Sequence, residues 1–291
     1  MDPNRRRALQ HLGLLALAAA GGGRFARLRA ADTDEELCRG KFTLAARSSW
    51  RTLPMGTLVT TLGRSFLGTP YAAHTLETPG EERLVVNLRG LDCTTFVENS
   101  LTFARCLKLD RTSYEDYRAQ LQLIRYRGGI VAGYQSRLHY FADWIHDNAA
   151  KKVVRDVTAE LGGEPFEKKV DFMSTHRENY RQLDHADAAA AVRADEEALS
   201  RRGMTYIPKG RVREIEPLLQ EGDILGLTSS VEGLDVAHTG LAVREGGEVR
   251  LLHAPIAGKS VELSRKPLHA YMQGIDKQTG VMVARPLDPA A

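Results

Sequence analysis

The stretch LDCTTFVENS, from Leu91 to Ser100, places a cysteine between an acidic residue and an apolar, helix-like run. Asp92 can cap a helix that begins near Cys93. The positive end of a helix dipole favours a thiolate in the first turn, and such surroundings lower a thiol pKa from about 8.5 to about 3.5–7.5. Cys93 is therefore a candidate nucleophile, and the competing interpretation is a small buried apolar residue.

Two histidines lie in the apolar, β-rich runs DVAHTGLAV and EVRLLHAP. The Gly-Gly pair at 246–247 between these runs is typical of a two-residue hairpin turn. In that register Gly240 lies opposite His253, and His238 becomes a diagonal neighbour of His253 on the same face, about 7–8 Å away. A three-residue loop would place the two histidines on opposite faces. The pair could supply the base, and the residue that orients it, for a nucleophilic cysteine.

The elements that must position these side chains are one buried helix and one sheet. Apolar residues recur at helical spacing from Phe96 to Leu107, which predicts a largely buried helix after Cys93. From Glu221 onward, GDILGLTS and the two histidine-bearing runs are separated by turn residues. Consecutive strands with short links predict an antiparallel meander.

Four other segments have recognisable patterns. The run from Ser113 to Asp116 resembles a capping box and predicts a second helix, which the Gly-Gly pair at 128–129 would end. The runs 84–88 and 151–161 are strand-like, and the Ala-rich run 187–199 is typical of a helix.

Length and composition are those of a globular protein, with 291 residues of which 43% are hydrophobic. The 40 basic and 37 acidic residues give a net charge of +3 without a basic stripe, which argues against a nucleic-acid-binding protein. The sequence shows no internal repeat and no low-complexity linker. We therefore predict one domain over residues 32–291, with a mostly helical mid-chain insertion at about 110–205.

Residues 1–31 predict an export signal. Three arginines at 5–7 precede the apolar run HLGLLALAAAGGG, which is shorter than the ~20 residues of a membrane-spanning helix and fits a signal h-region. Residues 18–20 offer a cleavage site, and a cut near Ala30 is an alternative. The order NRRRAL partly resembles a twin-arginine signal, although Ala8 replaces the expected Phe. We expect a periplasmic or secreted protein without stable membrane insertion; the competing interpretation is a disordered basic tail.

The chain has three cysteines, Cys38, Cys93 and Cys106, so an exported protein keeps at least one thiol free. On a continuous helix the 13 residues from Cys93 to Cys106 span about 20 Å. A disulfide needs Cα atoms within about 7 Å, so these two cannot pair. A disulfide between Cys38 and Cys106 stays open.

Several motifs together resemble the NlpC-type cell-wall hydrolases, a papain-like family. GTPY, LDCTTFVE, EGDILGL, AHTGL and LLHA follow its motif series. GTPYAAHTLE, LVVNLRGLDCTTFVEN and SRLHYFADWI are more similar to its branch described as N-acetylmuramoyl-L-alanine amidase-like. The resemblance covers roughly Gly68 to Pro286. It implies an α+β, papain-like NlpC-type fold, in which the helix bearing Cys93 packs on an antiparallel β-meander.

The resemblance also implies roles for single residues. Cys93 matches the family nucleophile, His238 the base and His253 the orienting residue, while Tyr71 matches a tyrosine beside the nucleophile. Thr94 stands where the family usually has Ser, which does not affect the chemistry. The family needs neither a metal nor another cofactor, and its partners are peptidoglycan fragments.

Substrate binding is predicted for Arg137, His139 and Tyr140, which lie in the motif most peculiar to the branch. Arg137 could hold a carboxylate by a bidentate contact. The competing interpretation is a structural aromatic cluster with a surface arginine. Trp144 offers aromatic surface for a sugar, whereas Glu77 could serve an ammonium group.

The leading hypothesis is a cysteine amidase that cleaves the N-acetylmuramoyl-L-alanine amide bond of cell-wall fragments. The alternative is an endopeptidase for the γ-D-glutamyl bond to the diamino acid of the stem peptide. A metal hydrolase with Cys93, His238 and His253 as ligands is chemically possible, although no fourth ligand is obvious. A non-catalytic wall-binding module and a papain-like acyltransferase are further hypotheses.

Overall fold

Three helices of the N-terminal half begin at capping side chains, which are those of Thr33, Asp92 and Ser113. The computed structural model describes residues 33–289, so the predicted export signal lies outside the described residues. The cap predicted at Asp92 and the capping box predicted at Ser113 are both present, and the cap at Asp92 is also a capping box. In chain order, the α-helices of residues 33–289 are α1 Asp34–Arg47, α2 Met55–Arg64, α3 Cys93–Lys108, α4 Tyr114–Arg125, α5 Phe141–Ala150, α6 Phe172–Thr175, α7 Ala186–Arg202, α8 Val212–Ile215 and α9 Leu268–Gln273.

The strands form one antiparallel sheet. In chain order they are β1 Val154–Asp156, β2 Glu164–Pro165, β3 Thr205–Pro208, β4 Ile224–Ser229, β5 Val236–Glu245, β6 Glu248–His253, β7 Glu262–Leu263 and β8 Gln278–Pro286. Their spatial order is β2-β3-β8-β4-β5-β6-β7, and β1 also pairs with β8. The predicted meander is confirmed as β4 to β7, and the last strand of the chain lies in the middle of the sheet.

The hairpin between β5 and β6 has the predicted register. Glu245 pairs with Glu248 and Leu241 pairs with Leu252, with positive φ at both residues of the 246–247 turn. Glycine adopts such φ values without steric cost, which makes the two-residue turn possible. The register places the two histidines as the sequence predicts.

Each face of the sheet has its own apolar core. Leu241, Val243 and Leu252 belong to the large core that includes the buried residues of α2 and α3. Leu225, Leu227, Ala242 and Leu251 belong to a second core, completed by residues of α8 and α9. The helix that begins at Cys93 therefore packs on one face of the strands that carry the histidines, as the sequence predicts.

A buried ion pair fixes α3 to α4. Arg125 Nε donates to Glu98 Oε2 over 2.7 Å, and Arg125 Nη1 donates to the backbone oxygen of Val85 over 2.5 Å. The segment 84–88 is therefore held by side chains, and the strand predicted there is wrong. Within residues 33–289 its backbone pairs with no strand, and Leu88 N–H donates to Asp34 instead.

The segment 110–205, which the sequence predicts to be an insertion, contributes to the sheet as well as to the helical layer. It supplies α4, α5 and α7, and its strands β1 and β2 pair with β8 and β3. The predicted helix at 187–199 is confirmed as α7, whereas the strand predicted over 151–161 is reduced to β1. Across residues 33–289, no helix combines the length and apolar character needed to cross a membrane.

Candidate active site

Cys93 is the first residue of α3, where the N-cap fixes the backbone. Asp92 accepts a hydrogen bond from the Thr95 amide at 2.8 Å, and the Asp92 amide donates to Thr95 Oγ1 at 2.9 Å. The first amides of a helix have no intrahelical acceptor. The N–H groups of Cys93 and Thr94 are therefore available beside the half-buried thiol.

The Cys93 thiol is neutral in this setting. Burial raises its pKa most, and the Asp92 carboxylate raises it further. The Thr239 amide and hydroxyl and the Thr94 hydroxyl lower the pKa in part. The helix dipole alone predicts a lowered thiol pKa. This prediction is wrong, because the cost of desolvating the thiolate raises the pKa more than the dipole lowers it. The thiol therefore needs a base in order to react.

His238 on β5 and His253 on β6 form a hydrogen-bonded pair. His238 Nε2 lies 2.7 Å from His253 Nδ1, and the ring planes are 77° apart. Burial lowers the pKa of His238 to about 4, and burial together with His238 lowers the pKa of His253 to about 3. Both imidazoles are therefore neutral near pH 7, and one N–H is shared between them.

The thiol lies beside the strand that carries His238. The amide and hydroxyl of Thr239, the residue after His238, lie close enough to the Cys93 sulfur to lower the thiol pKa. The pairing of β5 with β6 ends at Leu241 and Leu252, so it does not include Thr239. Within residues 33–289 no hydrogen bond joins Cys93 to His238, as is common for catalytic groups without substrate.

Tyr71 belongs to a backbone bridge next to the segment that leads into Cys93. Its segment pairs with Leu91 on one side, and the Tyr71 amide donates to the Lys259 oxygen at 2.8 Å on the other. Burial raises the pKa of Tyr71 to about 12, with contributions from Cys93 and Asp92. The structure therefore places Tyr71 near Cys93.

Tyr271 on α9 is a site residue that the sequence did not indicate. Its ring meets the His253 ring edge to face, with centroids 5.1 Å apart. Burial raises its pKa to about 12, and Glu262 and Cys93 add to the effect. Tyr271 follows a short irregular link and matches no motif, so only the packing of α9 on the sheet reveals it.

Arg137, His139 and Tyr140, which were predicted to bind substrate, have protein partners. Arg137 is 6% exposed and pairs with Glu77 at 2.8 Å and Glu82 at 3.1 Å. The half-buried His139 ring contacts the Tyr134 backbone oxygen.

Tyr140 hydroxyl donates to Glu196 at 2.6 Å and accepts from the Met173 amide at 2.8 Å. The contacts of Arg137, His139 and Tyr140 stabilise the fold, and their role in substrate binding stays a prediction.

Two other expectations about substrate contacts are corrected. Trp144 is fully buried and stacks on Phe141 at 4.9 Å, so it offers no surface to a sugar. Glu77 already neutralises Arg137 and accepts from the Tyr134 hydroxyl, so its charge is not free for an ammonium group. The partners of Glu77 lie 57 and 60 residues later in the chain, so the sequence did not reveal them.

The Cys93, His238 and His253 side chains do not form a metal-ligand cluster. The 2.7 Å between the two imidazole nitrogens leaves no space for an ion between them. No group of three or more His, Cys, Asp or Glu side chains within residues 33–289 is arranged to hold a metal ion.

Comparison with known proteins places this α+β protein among the amidase-like hydrolases. The family model described as AmiA-like, N-acetylmuramoyl-L-alanine amidase-like, matches residues 61–281. The chain belongs to this N-acetylmuramoyl-L-alanine amidase-like family. A comparison with curated proteins gives no match.

Solved structures agree with the family. An N-acetylmuramoyl-L-alanine amidase from Bacteroides uniformis ATCC 8492 is 36% identical, with a TM-score of 0.77 over 80% of this chain and 99% of that chain. A Bacteroides fragilis protein, provisionally described as a xylanase, is 36% identical, with a TM-score of 0.73 over 77% of this chain and 99% of that chain. A protein from Legionella pneumophila str. Philadelphia 1 shares the fold at 18% identity, with a TM-score of 0.63 over 87% of this chain and 95% of that chain.

Proposed function

We propose that this protein is a cysteine-dependent amidase that cleaves the bond between the lactyl group of N-acetylmuramic acid and L-alanine in peptidoglycan fragments. The observation that carries the proposal is the 2.7 Å contact between His238 and His253, in a sheet packed against the helix that begins at Cys93. Membership of the amidase-like family and the similarity to the Bacteroides uniformis amidase support the choice of bond.

His238 is the general base in this proposal. When its Nε2–H donates to His253 Nδ1, the Nδ1 of His238 is the nitrogen left to accept a proton. A neutral imidazole with a low pKa can take the Cys93 proton as the sulfur attacks. His253 holds the ring in this tautomer and orientation, and Tyr271 packs against the outer edge of the pair.

The reaction has two steps. Cys93 sulfur bonds to the lactyl carbonyl carbon while His238 takes the thiol proton, and the Cys93 and Thr94 amides hold the oxyanion. The carbon–nitrogen bond then breaks, the L-alanine nitrogen takes the proton from His238, and a muramoyl thioester remains on Cys93. In the second step His238 deprotonates a water molecule, which hydrolyses the thioester and restores the thiol.

A papain-like, NlpC-type fold is part of the proposal. The order of a helix-start cysteine followed by histidines on antiparallel strands supports it. Export by residues 1–31 would deliver the enzyme to the periplasm or outside the cell, where peptidoglycan lies. N-terminal sequencing of the protein from the producing cell should find a first residue between Gly21 and Asp32; a cytoplasmic protein that still begins at Met1 would contradict export.

Product analysis tests the bond. The purified protein is incubated with N-acetylmuramoyl-L-alanyl-D-glutamyl peptides that carry the diamino acid, and the products are weighed by mass spectrometry. We expect free L-alanyl peptide and intact N-acetylmuramic acid. Release of a muramoyl dipeptide together with the peptide that begins at the diamino acid would replace the amidase by the endopeptidase.

A variant series tests the mechanism. Cys93→Ala and His238→Ala should abolish hydrolysis while the circular dichroism spectrum is unchanged, and His253→Ala should keep some activity because it only orients the base. His185→Ala, which changes an exposed histidine outside the site, is the matched control. A folded, active Cys93→Ala protein would overturn the cysteine mechanism.

A further inference from the structure

Within residues 33–289, the buried hydroxyl group of Thr239 has no hydrogen-bond partner of good geometry. The residue is 2% exposed and lies on β5 between His238 and Gly240. Its Oγ1 is fully buried, and no donor or acceptor in the described part of the chain is aligned with it. Buried polar groups nearly always have a partner, and those that lack one are often tied to function.

The environment of Thr239 identifies what this hydroxyl could bind. Side chains alternate along a strand, so Thr239 lies on the same face as Leu241 and Val243, which belong to the core around α3. Cys93 is the first residue of α3, and the amide and the hydroxyl of Thr239 lie close enough to its sulfur to lower the thiol pKa. A neutral thiol is a weak acceptor, whereas a thiolate accepts strong hydrogen bonds.

We propose that Thr239 is a catalytic residue whose hydroxyl and amide donate hydrogen bonds to the Cys93 sulfur while it carries negative charge. This inference rests on the proposed cysteine mechanism. The proton leaves the sulfur for His238 Nδ1, and Thr239 keeps its own proton and only donates. The same bonds form again when the thioester breaks and the thiolate is expelled.

A merely structural Thr239 would have no need of a hydroxyl group. Valine has almost the same shape, would fill the same space and would remove the unpaired oxygen from the core. Replacing an unsatisfied polar group by an apolar one of the same shape is neutral or stabilising. A hydroxyl group that lowers the stability of the fold is expected at a position where it contributes to the reaction.

The test compares Thr239→Val, which removes the hydroxyl, with Thr239→Ser, which keeps it. The first measurement is the rate of Cys93 alkylation by iodoacetamide between pH 5 and pH 10, which requires no substrate. Thr239→Val should move the profile to higher pH by about one unit, because the thiolate loses a donor. Thr239→Ser should restore the profile of the wild type.

The second measurement is hydrolysis of the muramoyl peptide. Thr239→Val should lower kcat about tenfold or more with KM unchanged, and its melting temperature should equal or exceed that of the wild type. Thr239→Ala removes the same hydroxyl and gives the same comparison if the valine variant does not fold.

The inference is overturned if the valine variant keeps the alkylation profile of the wild type, or if the serine variant behaves like the valine variant. Because alkylation is independent of hydrolysis, a wild-type protein that cleaves no muramoyl peptide would contradict the proposed function without deciding the role of Thr239.

Discussion

Gly240 lies opposite His253 across the β5–β6 hairpin, and a Cβ atom at Gly240 would lie 3.0 Å from the His253 Cβ. It would also lie 2.9 Å from the backbone oxygen of Leu252, which cannot move away without disturbing the strand pair. We therefore expect Gly240→Ala to displace His253, to lower kcat/KM at least tenfold and to cost about 1–3 kcal/mol of stability. Steady-state kinetics and urea denaturation measure the two effects.

Gly210→Ala is the matched control for this change. A Cβ at Gly210 meets no atom within 4 Å, and its φ is not in the left-handed region. Its activity should equal that of the wild type. If Gly240→Ala were fully active, close packing opposite His253 would not be needed to hold the imidazole.

The pH dependence of kcat/KM should report the unusual acidity of His238. The base must be neutral, and burial lowers its pKa to about 4, so it is protonated only below that pH. Activity should therefore persist at pH 5 and fall as the pH drops through about 4, provided that circular dichroism shows the protein still folded. An acid limb near 6.5, the value of a solvated imidazole, would mean that His238 is not desolvated in solution.

The three thiols should differ sharply in reactivity. Cys93 is half-buried, whereas Cys38 and Cys106 are fully buried, and burial raises the pKa of Cys38 to about 12. We expect folded protein to take up one iodoacetamide per chain, on Cys93, and urea-unfolded protein to take up three. Folded Cys93→Ala should take up none. Uptake of only one iodoacetamide by unfolded, unreduced protein would reveal a disulfide between Cys38 and Cys106.

Replacing only one partner of the buried Glu98–Arg125 ion pair should strongly lower the free energy of unfolding. Both side chains are 2% exposed, so removal of either partner leaves an uncompensated buried charge. Glu98→Leu or Arg125→Met should lower the free energy of unfolding by about 3–5 kcal/mol, and the double variant should cost less than either single change. Urea denaturation measures these values.

The exposed pair Glu35–Arg39 supplies the comparison, since its side chains are 51% and 70% exposed. Glu35→Gln should cost less than about 1 kcal/mol. If Glu35→Gln and Glu98→Leu lowered the free energy of unfolding equally, burial would not determine the contribution of the Glu98–Arg125 pair.

Local patterns in the sequence predicted where Cys93, His238 and His253 lie in the fold. A helix cap at Asp92 and an apolar stripe placed Cys93 at the start of α3, and a Gly-Gly turn set the register that joins His238 to His253. Each of these signals lies within a few residues of the side chain that it positions. Helix capping and hairpin geometry are local effects, so sequence alone suffices for them.

The surroundings of the centre depend on distant contacts, which the sequence did not reveal. Arg137 pairs with Glu77, 60 residues earlier in the chain, and so lies buried in an ion pair. Tyr271 reaches His253 only because α9 covers the second face of the sheet. The thiol pKa was misjudged for the same reason, since its desolvation comes from the packing of separate elements around Cys93.

The central position of β8 has a consequence for how this protein is made. β8 is synthesised after β1, β3 and β4, yet it pairs with all three, so each of these strands lacks one neighbour until β8 has been made. Cys93 and His238 are themselves about 145 residues apart in the chain. Contacts between such distant segments form slowly, because closing a long loop costs conformational entropy before the contact contributes any stabilisation. Until His238 has been made, the nascent chain therefore carries the Cys93 thiol without its proposed base. If the proposed mechanism holds, hydrolytic activity can appear only after β8 has entered the sheet.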